Sequence, residues 1–225
     1  MGYVTRILAI ADEVDQALYD EKVMALRPDI VVACGDLPFD YLEYIVTMTN
    51  VPLVFVPGNH DPDLRHKPAW LDAKNLVTPM SYSSMTRAQR GPDGCTNVDG
   101  RVVDVKSIRV AGLGGCVRYK PGPNQYTQAE MRRRALRLEL RARIKGALDG
   151  REVDLLVTHA PPAGVGDGDD PAHRGFASFH RLVTALAPKL QIHGHVHPYG
   201  RVHPRRSLAA TEVVNVVGRH LLEVS

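Results

Sequence analysis

The chain has 225 residues, 44% of them hydrophobic and 24% charged, with a formal net charge of +3. That is enough apolar material for one core, so a single domain over residues 1–225 is expected. No apolar run approaches the roughly 18 residues of a membrane span, the short apolar start runs into Asp12-Glu13-Val14-Asp15 instead of a small-residue cleavage site, and the scattered cysteines Cys34, Cys95 and Cys116 argue against a disulfide framework or a structural zinc site. A cytoplasmic chain without membrane contact is the expectation.

Arg6 to Ala11 reads as a first strand, followed by helical spacing from Asp15 to Arg27 that stops before Pro28. Ile30 to Cys34 is a second apolar run, Phe39 to Thr49 a second helix, and Leu53 to Val56 a third run. Short β-branched runs separated by helical stretches predict α/β units with parallel strands. Pro62 to Gly100 shows turn formers and little periodicity. Arg101 to Val105 and Ser107 to Leu113 suggest a hairpin around Lys106-Ser107, ending in the turn Gly112-Leu113-Gly114-Gly115. Thr127 and Glu130 form a capping box before a helix from about Gln128 to Leu148, with Gly150 just beyond it. Leu155 to Thr158 and Leu190 to Ile192 are further strands, separated by a helix from Phe176 to Ala187, and Glu212 to Val217 and His220 to Val224 complete the tail.

The basic excess is local. Between Thr127 and Gly150 seven basic residues stand against three acidic ones, a balance of +4 that leaves −1 for the rest of the chain. Met131, Ala135, Leu138, Ala142 and Leu148 give this helix an apolar stripe, so a solvated outer arginine face is favoured over a nucleic-acid docking surface.

The ends of the strands carry the chemistry. They read Asp12-Glu13, Gly35-Asp36, Gly58-Asn59-His60-Asp61, His159, and Gly194-His195-Val196-His197. Open α/β sheets place ligands at the carboxyl ends of strands, and carboxylate, amide oxygen and imidazole together suit Mn, Fe, Zn or similar ions. Any one of these residues is ordinary at a loop mouth. Five such ends in succession, three with histidine, are not explained by turn chemistry.

These motifs resemble the signature of the calcineurin-like metallophosphoesterase superfamily, in order and separation, from about residue 6 to residue 200. The resemblance implies an α/β fold of two mixed β-sheets packed as a sandwich flanked by helices, and a centre of two divalent metal ions (Mn, Fe, Zn or Mg). Asp36 would bridge the ions, Asn59, His159 and His195 would complete one site, and Asp12 and His197 would serve the other. His60 would bind no metal and would sit beside the scissile phosphate as the catalytic group. Asn59 and His60 would also contact substrate. One position departs from the pattern. Where the family has Asp-x-His this chain has Asp12-Glu13-Val14, and Glu13, Asp15 or a water would have to take the histidine's place.

Chemistry supports these roles. Two divalent ions about 3.5–4 Å apart suit in-line attack on phosphate, one carboxylate can offer an oxygen to each, and an imidazole can pass a proton to the leaving oxygen, a step typically worth 10²–10⁴-fold. Arg118, after the glycine-rich turn, is a further candidate contact for a phosphate oxygen. Asp167, Asp169, Asp170 and His173 lie in a loop that reads as a mobile, solvated rim, and His180, His203 and His220 fall outside any ligand pattern. The sequence therefore predicts a metal-dependent hydrolase of small-molecule or nucleotide phosphate esters, with diesters slightly favoured. The alternatives are a nuclease docking through the basic helix and a metal-binding protein with weakened turnover.

Overall fold

Strand β1 (Thr5–Ala11) is buried on both faces, which is why it reads as an unbroken apolar run. Ile7, Ala9 and Ala11 join the cluster between two sheets, while Leu8 and Ile10 join the cluster on the outer side. The computed structural model describes residues 4–20, 22–64, 91–198 and 205–224.

The first sheet has the order β13-β1-β2-β3-β4, with β2 (Ile30–Ala33), β3 (Leu53–Phe55), β4 (Cys95–Asn97) and β13 (Gly218–Val224). β1 to β4 run parallel, and β13 is antiparallel to β1. The second sheet has the order β11-β12-β10-β9-β6-β5, from β5 (Val102–Val105), β6 (Ile108–Leu113), β9 (Leu155–Thr158), β10 (Leu190–His193), β11 (Arg206–Leu208) and β12 (Thr211–Asn215). Its four inner strands are parallel and its two outer pairings antiparallel.

The inward faces of the two sheets share one core, including Val32, Val54, Val110, Val157 and Ile192. Outside the first sheet, α2 (Phe39–Thr49) packs Tyr41, Leu42 and Ile45 onto Leu8, Val31 and Phe55. Outside the second, α3 (Gln128–Asp149) and α4 (Ser178–Leu186) pack Met131, Leu138, Phe179 and Leu182 onto Ala111, Leu113 and Leu156. The result is the expected sandwich of two mixed sheets flanked by helices. The carboxyl ends of β1, β2, β3, β9 and β10 all lie on one rim.

Several elements differ from expectation. The helix expected over Asp15–Arg27 is a 3-10 turn at Gln16–Tyr19 and a single helical turn, α1 (Lys22–Ala25). Asp15 accepts from the Ala17 N–H at 2.9 Å, a local bond that competes with a continuous helix. The irregular stretch 62–100 contributes β4 to the first sheet, and residues 65–90 of it lie outside the described residues. The hairpin at Lys106-Ser107 forms, with Lys106 in the left-handed region. Beyond it a two-residue parallel pair, β7 (Cys116–Val117) and β8 (Gln125–Tyr126), has no periodicity to announce it.

Helix α3 has its capping box, and Gly150 follows at φ 72°. Leu148, expected in the buried stripe, is 82% exposed, and Glu139 is buried instead against Arg143 and Arg181. Leu136, Leu140, Ile144 and Leu148 form an exposed apolar ridge at four-residue spacing. Arg109 is fully buried and fully paired: it donates to Asp104 at 2.8 and 3.2 Å, to Asp149 and to the Arg151 carbonyl. Among the described residues no helix is long and apolar enough to cross a membrane.

Candidate metal centre

Each strand end delivers its polar residue by a sharp backbone turn. Asp12, Asp36 and His195 all have positive φ (60°, 56° and 68°), a conformation that costs of order 1–3 kcal/mol and persists where surrounding structure enforces it. The turns swing the three side chains back over the rim. Gly58 is required beside them, because a Cβ there would lie 2.1 Å from Asp36 Oδ1.

His159 follows β9 and is fully buried. Its Nδ1–H donates to the Cys34 carbonyl at 2.7 Å, which turns Nε2 toward Asn59 Oδ1 at 3.0 Å and Asp36 Oδ2 at 3.4 Å. His195, at the end of β10, donates through Nε2–H to the Ala172 carbonyl at 2.7 Å and keeps Nδ1 for the cluster. The two imidazoles lie tilted with centroids 4.8 Å apart. One ligand atom each from Asp36, His159 and His195 falls within 4.8 Å of the others. Both histidines are thus fixed by a carbonyl on the nitrogen facing away from the cluster, as ligating histidines are.

Spacing tests whether these donors fit an ion. Donors about 2.1 Å from a shared ion stand about 3.0 Å apart at right angles and about 3.4 Å apart at tetrahedral angles. The separations of Asn59 and Asp36 from His159 Nε2 have these values, and the donor set of carboxylate, amide oxygen and two imidazoles suits a divalent transition metal.

The electrostatics agree. Burial would raise the Asp36 carboxyl, but the charge and hydrogen bond of His159 bring it down to about 2. Burial would likewise lower His159, and Asp36 more than offsets it, lifting the imidazole to about 9. Burial, reinforced by the His159 charge, lowers His195 to about 3, which favours the neutral imidazole. Asp12 is raised to about 6 by burial against the opposing pull of His159. The cluster favours positive charge at its centre.

Around this core the remaining expected residues find their places. The His60 N–H donates to Asp36 Oδ1 at 2.8 Å, and its imidazole is exposed at the rim. Asp12 Oδ2 accepts from the His195 N–H at 2.9 Å. His197 is half-buried, with Nδ1 3.0 Å from Glu13 Oε1. Arg118 is exposed and its guanidinium donates to Glu130 at 3.0 Å and to the Gln125 carbonyl at 3.2 Å, so a phosphate contact would require it to leave that pair. The 164–174 loop is tied down by its own acids: Asp167 accepts from the Gly164 and Gly175 N–H groups at 2.8 and 3.0 Å, and Asp170 pairs with His173 at 2.8 Å. His173 in turn lies against His195, with ring centroids 5.3 Å apart.

Three supporting residues were given no role by the sequence. Asp61, within the motif but without an expected role, accepts from the Gly58 and Asp36 N–H groups at 2.8 and 2.9 Å. Asn124 is buried at φ 49° and donates to the Gly58 and Asp61 carbonyls at 2.9 and 3.0 Å. Asn215 donates to the Val196 carbonyl at 2.7 Å, fixing the segment between His195 and His197. Asn124 in its turn reads as a turn former and Asn215 as the last residue of β12, and the fold brings both to the site.

Comparison with known proteins accords with this geometry. One solved structure shares the fold with a TM-score of 0.62 at 16% identity, over 98% of this chain and 95% of its own. The crystal structure of TT1561 of Thermus thermophilus gives 0.57 at 17% identity, over 96% and 90%. No curated protein sequence matches the chain. The calcineurin-like phosphoesterase family matches residues 5–199, nearly the whole rim-forming fold, and the chain belongs to that family, which implies metal-dependent hydrolysis of phosphate esters.

Proposed function

We propose that the protein hydrolyses phosphodiesters ahead of phosphomonoesters, with two divalent ions. The observation that supports the metal dependence in this reading is the spacing of Asn59 Oδ1 and Asp36 Oδ2 about His159 Nε2, at 3.0 and 3.4 Å, with His195 alongside. Asp36, Asn59, His159 and His195 would hold one ion, and Asp12, Asp36 and His197 the other. When bound, such ions polarise the phosphoryl oxygens and lower the pKa of water.

The chain's own residues account for the rest. Asp36 is anchored through its backbone N–H to Asp61, and its Oδ1 accepts from the His60 N–H. This fixes the start of the His60 side chain relative to the cluster. The exposed imidazole is then free to donate a hydrogen bond or proton to the oxygen that leaves phosphorus. Asn59 is held through its Oδ1 by His159 Nε2 at 3.0 Å, which would leave its amide nitrogen for a phosphate oxygen. Among the described residues His60 and the Glu13–His197 side are exposed at the rim, which favours a diester with groups extending in two directions. A polynucleotide docked along α3 is less favoured, because Leu136, Leu140, Ile144 and Leu148 interleave with its outer arginines.

Hydrolysis of bis-p-nitrophenyl phosphate and p-nitrophenyl phosphate across Mn, Zn, Fe and Mg tests the reading. Faster metal-dependent turnover of the diester is expected. A monoesterase inert toward the diester would overturn the preference, and no turnover at full metal occupancy would mark a binding protein.

A further inference from the structure

Among the described residues, four of the eight large apolar side chains that are exposed belong to α3, and they stand one turn apart in a single ridge. Leu136, Leu140, Ile144 and Leu148 are 37, 59, 55 and 82% exposed. At 1.5 Å per residue the ridge is about 18 Å long. Met131, Ala135, Leu138 and Ala142 are buried on the opposite side of the helix, so the ridge faces away from the core and does no packing within it. Single exposed aliphatic residues are ordinary, whereas a contiguous row of them marks a contact surface.

Cations flank this row and acids do not. Arg132, Arg133, Arg137, Arg141 and Arg143 are exposed, each three or four residues from a ridge side chain and so beside it. The three acids of the helix are engaged elsewhere. Glu130 accepts from the Thr127 N–H at 2.7 Å and from Arg118 at 3.0 Å, Glu139 is buried between Arg143 and Arg181, and Asp149 accepts from Arg109 at 3.0 Å. Among the described residues Arg132, Arg133 and Arg137 have no acidic partner, and Arg141 donates to the uncharged Gly100 carbonyl.

Charge and shape together select the occupant. A second copy of the chain would set these arginines against their own kind. A polynucleotide would match the arginines and leave four aliphatic side chains without contact. An anionic bilayer matches both, since lipid phosphates take the guanidinium groups while the acyl boundary takes the aliphatic row, with the arginine stems lying along it. The expectation of no membrane contact rested on the length of apolar runs, and a helix lying on a bilayer needs no run of spanning length.

We propose that the outer face of α3 docks the protein on an anionic lipid surface, with Leu136, Leu140, Ile144 and Leu148 entering the acyl boundary and Arg132, Arg133 and Arg137 meeting lipid phosphates. The proposal does not depend on the reaction catalysed at the rim.

Flotation of the full chain with vesicles of equimolar phosphatidylcholine and phosphatidylglycerol, beside vesicles of phosphatidylcholine alone, tests it. The proteins are wild type, the double variant Leu140→Ser/Ile144→Ser and the triple variant Arg132→Gln/Arg133→Gln/Arg137→Gln. All these positions are exposed, so thermal melting should stay as in wild type. Wild type should float with the anionic vesicles, less so as salt is raised, and stay behind with phosphatidylcholine alone. Each variant should bind at least about tenfold more weakly, one for lost apolar insertion and the other for lost charge. No flotation of wild type with anionic vesicles would overturn the proposal. So would undiminished binding by the serine variant, which would leave only unspecific attraction of a basic surface, and so would equal binding to phosphatidylcholine alone. Sedimentation showing a dimer that the serine variant abolishes, with vesicles ignored, would give the ridge to a second copy instead.

Discussion

The Asp12 carboxylate and the His195 backbone join the two sheets, Oδ2 accepting from the His195 N–H at 2.9 Å. Asp12 ends β1 of one sheet and His195 follows β10 of the other, and both residues sit in the left-handed region. The bond holds His195 at its strained φ with Nδ1 toward Asp36 and His159. Asp12→Ala is therefore expected to weaken the ion at the His159–His195 site as well as its own. Asp12→Asn, which keeps an acceptor oxygen, should spare the former. Elemental analysis after graded dialysis distinguishes them, and equal loss of both ions in the two variants would remove this bond from the explanation.

Gly58→Ala tests the close approach at the centre. Its Cβ would fall 2.1 Å from Asp36 Oδ1, too near for any rearrangement short of moving the carboxylate. If Asp36 is shared between two ions as proposed, affinity for both should drop at least about tenfold. Gly150→Ala is the control, because its Cβ meets nothing within 4 Å although φ is 72°. That variant should lose about 1 kcal/mol of stability and no metal affinity. Titration and thermal melting of both proteins give the comparison.

His60→Ala should keep its metal and lose turnover by at least about tenfold, in line with removal of a proton donor. Its imidazole is exposed, and its backbone N–H donates to Asp36. Metal content per chain should match wild type. An ion lost in this variant would make His60 a ligand.

Acid stability reports on the buried arginine. Arg109 holds the Asp104 carboxyl at about 2 through its hydrogen bonds, against the opposing effect of burial and with help from Lys145. The folded value lies below the roughly 3.9 of an unfolded aspartate. This contribution to stability is thus complete above about pH 4 and is lost as the pH falls toward about 2. Arg109→Leu should cost at least about 2 kcal/mol at neutral pH, by leaving the Arg151 carbonyl and two carboxylates short of donors. The difference from wild type should shrink between about pH 4 and about pH 2, as urea melts at each pH would show. A constant difference would place the cost in lost packing.

The strand ends were legible because parallel strands buried on both faces read as apolar runs and stop abruptly at polar residues. The parallel strands could be read in this way, the hairpin at Lys106 and the α3 cap came from turn and capping residues, and the sandwich came only from the family resemblance. β4 and β11 could not, since Cys95–Asn97 and Arg206–Leu208 are short edge strands with little buried apolar surface. The helix expected over Asp15–Arg27 failed because Asp15 spends its carboxylate on a local turn. Leu148 misled because four-residue spacing carries it round the helix to solvent while Glu139 turns inward. Asn124, Asn215 and the Ala172 carbonyl support the site through long-range bonds to backbone groups, and sequence spacing holds no trace of such pairings.

The most direct test of metal-dependent hydrolysis at Asp36 is the initial rate on bis-p-nitrophenyl phosphate of metal-stripped protein titrated with MnCl2, for wild type beside Asp36→Asn. Wild type should be inactive when stripped and recover on titration, while Asp36→Asn should stay at least about a hundredfold slower at every manganese concentration, the loss of one shared carboxylate disabling both ions. Turnover by the stripped wild type, or full recovery by Asp36→Asn, would contradict it.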